Sequence, residues 1–83
     1  MAIKPEQMRA ARGLLDWSQS DLAVAARLSL PTIKRAERDL GAIVSEDALS
    51  AIRKALEKAG VIFVAENGDG PGVRLRKKHG RAK

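Results

Sequence analysis

The pattern of hydrophobic and polar positions divides the chain into a helical part, up to about residue 60, and a shorter part that favours strands. In the first part apolar residues recur every three or four positions, which is the spacing of an amphipathic helix packed on a core. Ser18, Ser29 and Ser45 each stand before such a pattern, where a serine caps the first turn of a helix. The predicted helices are residues 5–15, 19–26, 30–38 and a fourth that starts at Ser45 and ends at Gly60. Their predicted core positions are Met8, Ala11, Leu14, Leu15, Leu22, Ala23, Ala26, Ile33, Ala36, Leu49, Ile52, Leu56 and Ala59.

After Gly60 the period changes from helical to strand-like. Val61–Ala65 is β-branched and aromatic, which is typical of a strand. Residues 67–72 (Asn-Gly-Asp-Gly-Pro-Gly) are a turn cluster, and Val73–Arg76 then alternates apolar and basic side chains. Residues 39–44 are predicted to form a loop. The predicted fold is therefore mainly α, with four or five short helices followed by a C-terminal β-hairpin that buries one face.

The net charge of +6 comes entirely from the last ten residues. Residues 1–73 carry ten basic and ten acidic side chains, whereas residues 74–83 carry six basic side chains and no acidic one. A neutral body with a cationic end differs from a uniformly basic nucleic-acid coat. We expect residues 77–83 to form a flexible basic tail.

Composition excludes several classes of function. The chain has no cysteine, and its one histidine, His79, lies in the expected tail, so neither a zinc site nor a Ser-His-acid set can be assembled. We expect no enzyme activity, no cofactor and no metal. The longest apolar run, five residues at 61–65, is shorter than the ~20 residues of a membrane span. The first residues also lack the apolar region of a signal peptide, so the cytoplasm is the expected location.

The spacing of the second and third helices is the most informative feature. Only Arg27-Leu28-Ser29 separates them, and such a short turn makes two helices cross steeply, as in a helix-turn-helix. The second of these helices, predicted at residues 30–38, then protrudes and can enter a DNA major groove, with its N-terminal residues nearest the base edges. We call it the recognition helix.

The residues of these two helices resemble a known family. The matching positions are Gln19-Ser20-Asp21-Leu22-Ala23, Ser29 and Thr32-Ile33-Lys34-Arg35-Ala36-Glu37, preceded by Arg12, Leu15, Trp17 and Ser18. As a set they resemble the helix-turn-helix module of the Cro and cI repressor superfamily, also called the XRE family. The resemblance covers residues 5–59 and implies a lambda-repressor-like domain that binds double-stranded DNA.

The resemblance also implies roles for individual residues. Ser18 and Gln19 match phosphate-contacting residues, and Gln19 also supports the recognition helix. Arg12 and Glu37 match an ion pair that ties the first helix to the third. The candidate DNA-contacting residues of the recognition helix are Ser29, Leu30, Pro31, Thr32, Lys34, Arg35 and Arg38. Thr32 is equally compatible with a buried spacer.

Some positions depart from the family pattern. Glycine is frequent at the ends of the first two helices, where this chain has Asp16 and Arg27. A left-handed conformation costs arginine ~1 kcal/mol or more, so the turn is expected to be strained or differently shaped. Leu30 and Pro31 suit a thymine methyl group, and Arg35 suits guanine O6 and N7. Direct readout is therefore sparse, and specificity is expected to lean on DNA shape.

An isolated two-stranded hairpin is marginal, and a second copy of the same hairpin can complete it. We expect a homodimer through residues 61–76, which also suits two recognition helices one DNA turn (~34 Å) apart on a palindromic site. The alternative is a hairpin that folds back on its own helices.

Three functions remain open. The first is a transcriptional regulator, most simply a repressor acting by occlusion. The second is an interaction protein that reuses the fold, such as an antiactivator or an antitoxin component, because Leu30 and Pro31 give the recognition helix an apolar tip suited to a protein partner. The third, an architectural or RNA-binding protein that works through its tail, is disfavoured by the neutral body.

Overall fold

Four helices precede a small antiparallel hairpin in the part of the chain that the structure describes. The computed structural model describes residues 3–38, 44–64, 68 and 70–76. The elements are α1 (Pro5–Leu15), α2 (Gln19–Ala26), α3 (Leu30–Glu37), α4 (Glu46–Lys58), β1 (Val61–Val64) and β2 (Gly72–Leu75). This confirms the predicted mainly α fold with a C-terminal hairpin. Residues 39–43 of the predicted loop and the predicted tail at 77–83 lie outside the described residues.

The predicted serine caps are confirmed at all three helices. Ser18 Oγ accepts from the Asp21 backbone N–H at 3.0 Å, and the Asp21 side chain accepts from the Ser18 N–H at 2.9 Å. Ser29 caps α3 and Ser45 caps α4, each through a backbone N–H three residues ahead, at 3.2 and 3.1 Å. Because a cap joins residues only three positions apart, it sets where each helix begins independently of tertiary packing.

The first two helices end in left-handed residues that are not glycine. Asp16 has φ 58° and ψ 40°, and Arg27 has φ 59° and ψ 44°. The backbone N–H of each residue donates to a carbonyl group of the preceding turn, as is usual where a helix ends in a residue of left-handed conformation. The chain therefore keeps the usual turn shape at these two positions, and the strain of a left-handed arginine stays in the fold.

The core lies where the four helices meet the start of β1. The fully buried large side chains are Met8, Leu22, Ile33, Ile52, Leu56 and Val61. Leu15 and Trp17 are partly buried against this cluster. Leu14 was predicted to be buried but is 43% exposed, because α1 ends one residue later and Leu14 falls at the edge of its apolar stripe. Among the described residues, no helix is both long and apolar enough to cross a membrane.

The hairpin packs against its own helices, which is the alternative given above to a hairpin completed by a second copy. β1 pairs with β2 in antiparallel register, with Val61 opposite Leu75 and Val64 opposite Gly72. β2 therefore starts one residue earlier than predicted, because Gly72 takes part in the pairing. β1 packs on α4, and β2 packs on α1. The expected burial of Leu75 is wrong, since its side chain is 39% exposed at the free end of the sheet.

A buried amide joins α1 to the hairpin. Gln7 is 3% exposed, its Nε2 donates to the Gly72 carbonyl at 3.1 Å, and its Oε1 accepts from the Lys4 backbone N–H at 2.8 Å. One side chain thus satisfies the start of α1 and fixes the hairpin to it. The sequence prediction did not include Gln7 in the core. Its place four residues before Ala11, on the apolar stripe of α1, was the signal for it.

Candidate nucleic-acid interface

The recognition helix α3 has an inner and an outer face of different chemistry. Ile33, Ala36 and Glu37 are buried on the inner face. On the outer face Ser29, Pro31, Lys34, Arg35 and Arg38 are exposed, and Leu30 and Thr32 are half-buried. The helix therefore presents three cations and an apolar N-terminal end to solvent.

Glu37 is the point at which three helices meet. Arg12 Nε donates to Glu37 Oε2 at 2.7 Å, and Arg12 Nη2 donates to Oε1 at 2.8 Å, which is a two-pronged ion pair between α1 and α3. Gln19 Nε2 from α2 donates to the same Oε1 at 3.2 Å. The Glu37 side chain is only 2% exposed, so these bonds replace the water that its carboxylate loses.

Further contacts fix the orientation of α1 against the end of α3. Arg12 Nη1 donates to the Trp17 carbonyl at 3.0 Å, so all three of its nitrogens are engaged in the junction. Arg9 Nη1 donates to the backbone carbonyl of Glu37 at the C-terminal end of α3. The hydrogen bonds that Arg12 donates to Glu37 raise the pKa of Arg12 above its usual value, so its guanidinium stays charged. Sequence reasoning missed Arg9, whose only signal is its place three residues before Arg12 on α1.

The N-terminal end of α3 carries a chain of hydroxyl groups. Thr32 Oγ1 lies 2.8 Å from Ser29 Oγ and accepts a long bond of 3.4 Å from Arg35 Nη2. Ser29 is exposed and Thr32 is half-buried, so both hydroxyl groups lie next to the outer face. Thr32 is therefore tied to neighbours of its own helix and is not enclosed in the core.

The start of α2 is joined to α3 through Glu37, to which Gln19 donates a hydrogen bond. Ser18 is exposed, and because its Oγ only accepts in the cap, its hydroxyl proton is available to a ligand. Gln19 is half-buried and uses one amide N–H on Glu37. The predicted site residues therefore fall into three groups. Arg12 and Glu37 form the ion pair that orients α3, and Gln19 is bonded to that pair while it is half exposed. The others lie on the surface.

The described residues show no competing chemical site. No group of three or more acidic or histidine side chains among them is arranged to hold a metal ion. Every buried side-chain nitrogen or oxygen in the described segments has a hydrogen-bond partner. The outer face of α3 offers three cations, the Ser29 and Thr32 hydroxyl groups and an apolar N-terminal end.

Comparison with known proteins agrees with this geometry. A family model described as "Helix-turn-helix" matches residues 8–61, which is more than half of the chain and includes all four helices except the first turn of α1. Comparison with curated protein sequences gave no significant match. The matched family is a DNA-binding regulatory domain family that is typically non-enzymatic. The chain belongs to the XRE-type helix-turn-helix family.

Proposed function

We propose that the chain is a sequence-specific transcriptional regulator, a repressor that binds a palindromic operator as a homodimer. The observation that supports this proposal most is the two-faced recognition helix. Its inner face is held by the buried Glu37 junction, while Lys34, Arg35 and Arg38 stand exposed on the other side. A rigidly held helix with free cations is what entry into a major groove requires.

In this proposal the outer face of α3 reads the DNA. Arg35 donates to guanine O6 and N7, and Leu30 and Pro31 pack on thymine methyl groups. The Thr32 hydroxyl accepts from Arg35 and limits where its guanidinium points. Lys34 lies beside Arg35 on the exposed face and contacts a neighbouring base edge or phosphate.

The phosphate contacts lie around this face. Ser18 donates its free hydroxyl proton to a DNA phosphate, and Gln19 donates its second amide N–H to another. Arg38, at the end of α3, contacts the sugar-phosphate backbone of the DNA. Ser29 contacts the backbone at the other end of the helix. We assign residues 1–60 to DNA binding, 61–76 to dimerisation and 77–83 to a tail that adds charge-driven affinity.

The decisive experiment compares Arg35→Ala with Arg38→Ala, since each change removes one exposed arginine, the first within α3 and the second at its C-cap. An operator is first selected from a random DNA pool with the unaltered chain. Arg35→Ala should then weaken operator binding by about 1–3 kcal/mol and relax the preference at one base pair. Arg38→Ala should weaken operator and random DNA equally and lower the salt slope by about 1. Equal losses on both DNAs for Arg35→Ala would refute its base-reading role.

The apolar start of the recognition helix favours one alternative function. Pro31 is exposed and Leu30 half-buried, and an apolar tip of this kind also fits a groove on another protein. In that case the chain is an antiactivator or an antitoxin component. A stoichiometric protein complex together with no operator in the DNA selection would favour this alternative over the repressor.

A further inference from the structure

We propose that two copies of the chain pair through the outer edge of β1, giving a four-stranded sheet in the order β2, β1, β1 of the second copy, β2 of the second copy. This inference rests on the homodimer proposed above and specifies the surface through which it forms. The partner is a second copy of this chain, and the contact is an antiparallel strand pair around a two-fold axis.

The backbone register shows which groups of β1 face away from β2. The Arg76 N–H donates to the Gly60 carbonyl at 2.6 Å, so this pair is a hydrogen-bonded one. Hydrogen-bonded and non-bonded pairs alternate along an antiparallel ladder. The register of the hairpin then makes Ile62 with Arg74 a hydrogen-bonded pair. Val61 and Phe63 consequently direct their backbone N–H and C=O groups to the outer edge of β1.

Charge distinguishes the two free edges of the hairpin. β1 consists of Val-Ile-Phe-Val and carries no charge, whereas β2 holds Arg74 and is followed at once by Arg76, both exposed. Two β2 strands paired around a two-fold axis would bring these like charges of the two copies together, which is unfavourable for directly opposed residues. Two β1 strands meet with no such penalty.

Helices support both strands of the hairpin from one face. β2 lies against α1, and β1 lies against α4, where the Arg53 guanidinium lies 5.6 Å from the centre of the Phe63 ring. Phe63 and its cross-strand neighbour Val73 are both partly buried against the core, so they share that face. The outward backbone groups of β1 lie in the plane of the sheet, and the absence of charge on β1 is what favours its edge over that of β2.

The available backbone groups also select a register. If the axis passes through Ile62, Val61 of each copy pairs with Phe63 of the other. All outward N–H and C=O groups of these two residues are then satisfied within β1. The two Ile62 side chains meet at a non-hydrogen-bonded position, with Cα atoms ~4.5 Å apart.

Cysteine substitution tests the edge directly, because the chain has no cysteine of its own. Ile62→Cys places two thiols within disulfide reach across the axis. Arg74→Cys is the matched control, since Arg74 is the cross-strand neighbour of Ile62 on the same face of the sheet. After mild oxidation, most of the Ile62→Cys chain should run as a disulfide-linked dimer, and Arg74→Cys should remain a monomer under denaturing conditions. Circular dichroism checks that both variants fold.

Amide hydrogen exchange tests the same edge without any substitution. Raising the protein concentration should slow exchange at the N–H groups of Val61 and Phe63. The outward N–H groups of β2, at Val73 and Leu75, should exchange at the same rate throughout. Preferential protection or cross-linking on β2 would overturn the proposal, and so would a dimer in sedimentation with neither effect on β1. A chain that is monomeric in sedimentation at high concentration would refute the homodimer itself, while selective DNA binding would still stand.

Discussion

Helix α1 is attached to the rest of the molecule in two places, and the two attachments differ in chemistry. At α3 the junction is charged: Arg12 and Gln19 satisfy both oxygens of the buried Glu37 carboxylate. At the hairpin the junction is neutral, with a single amide hydrogen bond from Gln7 to Gly72 and an apolar contact around it. Both residues at the centre of these junctions, Glu37 and Gln7, are 3% exposed as whole residues.

The difference shows what each junction achieves. A buried ion pair adds little net stability, but any arrangement that leaves one of the two charges buried and unpaired is strongly destabilised. The pair therefore fixes the angle between α1 and α3. A neutral amide tolerates small shifts and costs less to break. The recognition helix is therefore held in one orientation, whereas the hairpin is attached more weakly and leaves Val64 and Leu75 substantially exposed.

The largest effect is expected from breaking the charged junction. Arg12→Met leaves the Glu37 carboxylate buried without its cation, which should lower the free energy of unfolding by about 3–5 kcal/mol. Urea and thermal unfolding followed by circular dichroism measure this loss. The double variant Arg12→Met with Glu37→Met removes both charges and should recover most of it. If the double variant is as unstable as the single one, the loss of stability does not come from a buried carboxylate without its cation, and the explanation is refuted.

A smaller effect is expected from breaking the neutral junction. Gln7→Met keeps the length of the side chain but leaves the Lys4 N–H and one lone pair of the Gly72 carbonyl without their partner. The free energy of unfolding should fall by about 1–3 kcal/mol. Hydrogen exchange should become faster in β2 than in α3. Glu6→Met, at the exposed neighbouring position, should change stability by no more than about 0.5 kcal/mol. A loss at Gln7 equal to that at Arg12 would remove the contrast between the two junctions.

The smallest effect concerns the left-handed helix ends. Arg27→Gly relieves a left-handed arginine and should raise the free energy of unfolding by about 1 kcal/mol. Asp16→Gly is the matched control at the other left-handed position, and its gain should be smaller because aspartate adopts this conformation more readily. Urea unfolding of the two variants side by side measures the difference. A loss of stability at Arg27 would show that its side chain makes a contact worth more than the strain.

Sequence reasoning succeeded where structure is decided locally. Ser29 with Pro31 marks the start of α3 through capping and a fixed φ, and the change of period after Gly60 marks the start of β1. These signals act within a few residues, so they survive whatever the rest of the chain does. The resemblance to a family supplied the Arg12 and Glu37 pairing, whose members are 25 residues apart in the chain.

The remaining features depend on tertiary packing that no local pattern carries. Gln7 is polar, yet it is buried, because its amide bonds both the Lys4 N–H and the Gly72 carbonyl, 65 residues away. Leu14 lies on the apolar stripe of α1 but is exposed, since periodicity gives the direction of a stripe and not its width. Leu75 is also exposed, because burial along β2 falls from half-buried at Gly72 and Val73 to exposed at Arg74 and Leu75, a change that the alternation of the sequence does not carry.

The position of Glu37 has a consequence for how this domain can change over evolution or by design. The carboxylate that joins α1, α2 and α3 points inward, while Pro31, Lys34 and Arg35 lie outward on the same helix. Among the described residues no hydrogen bond or ion pair joins Glu37 to Lys34 or Arg35, so these two outward residues can be exchanged without breaking the bonds that set the helix angles. A library that varies only those outward positions would sample new binding preferences on an unchanged scaffold.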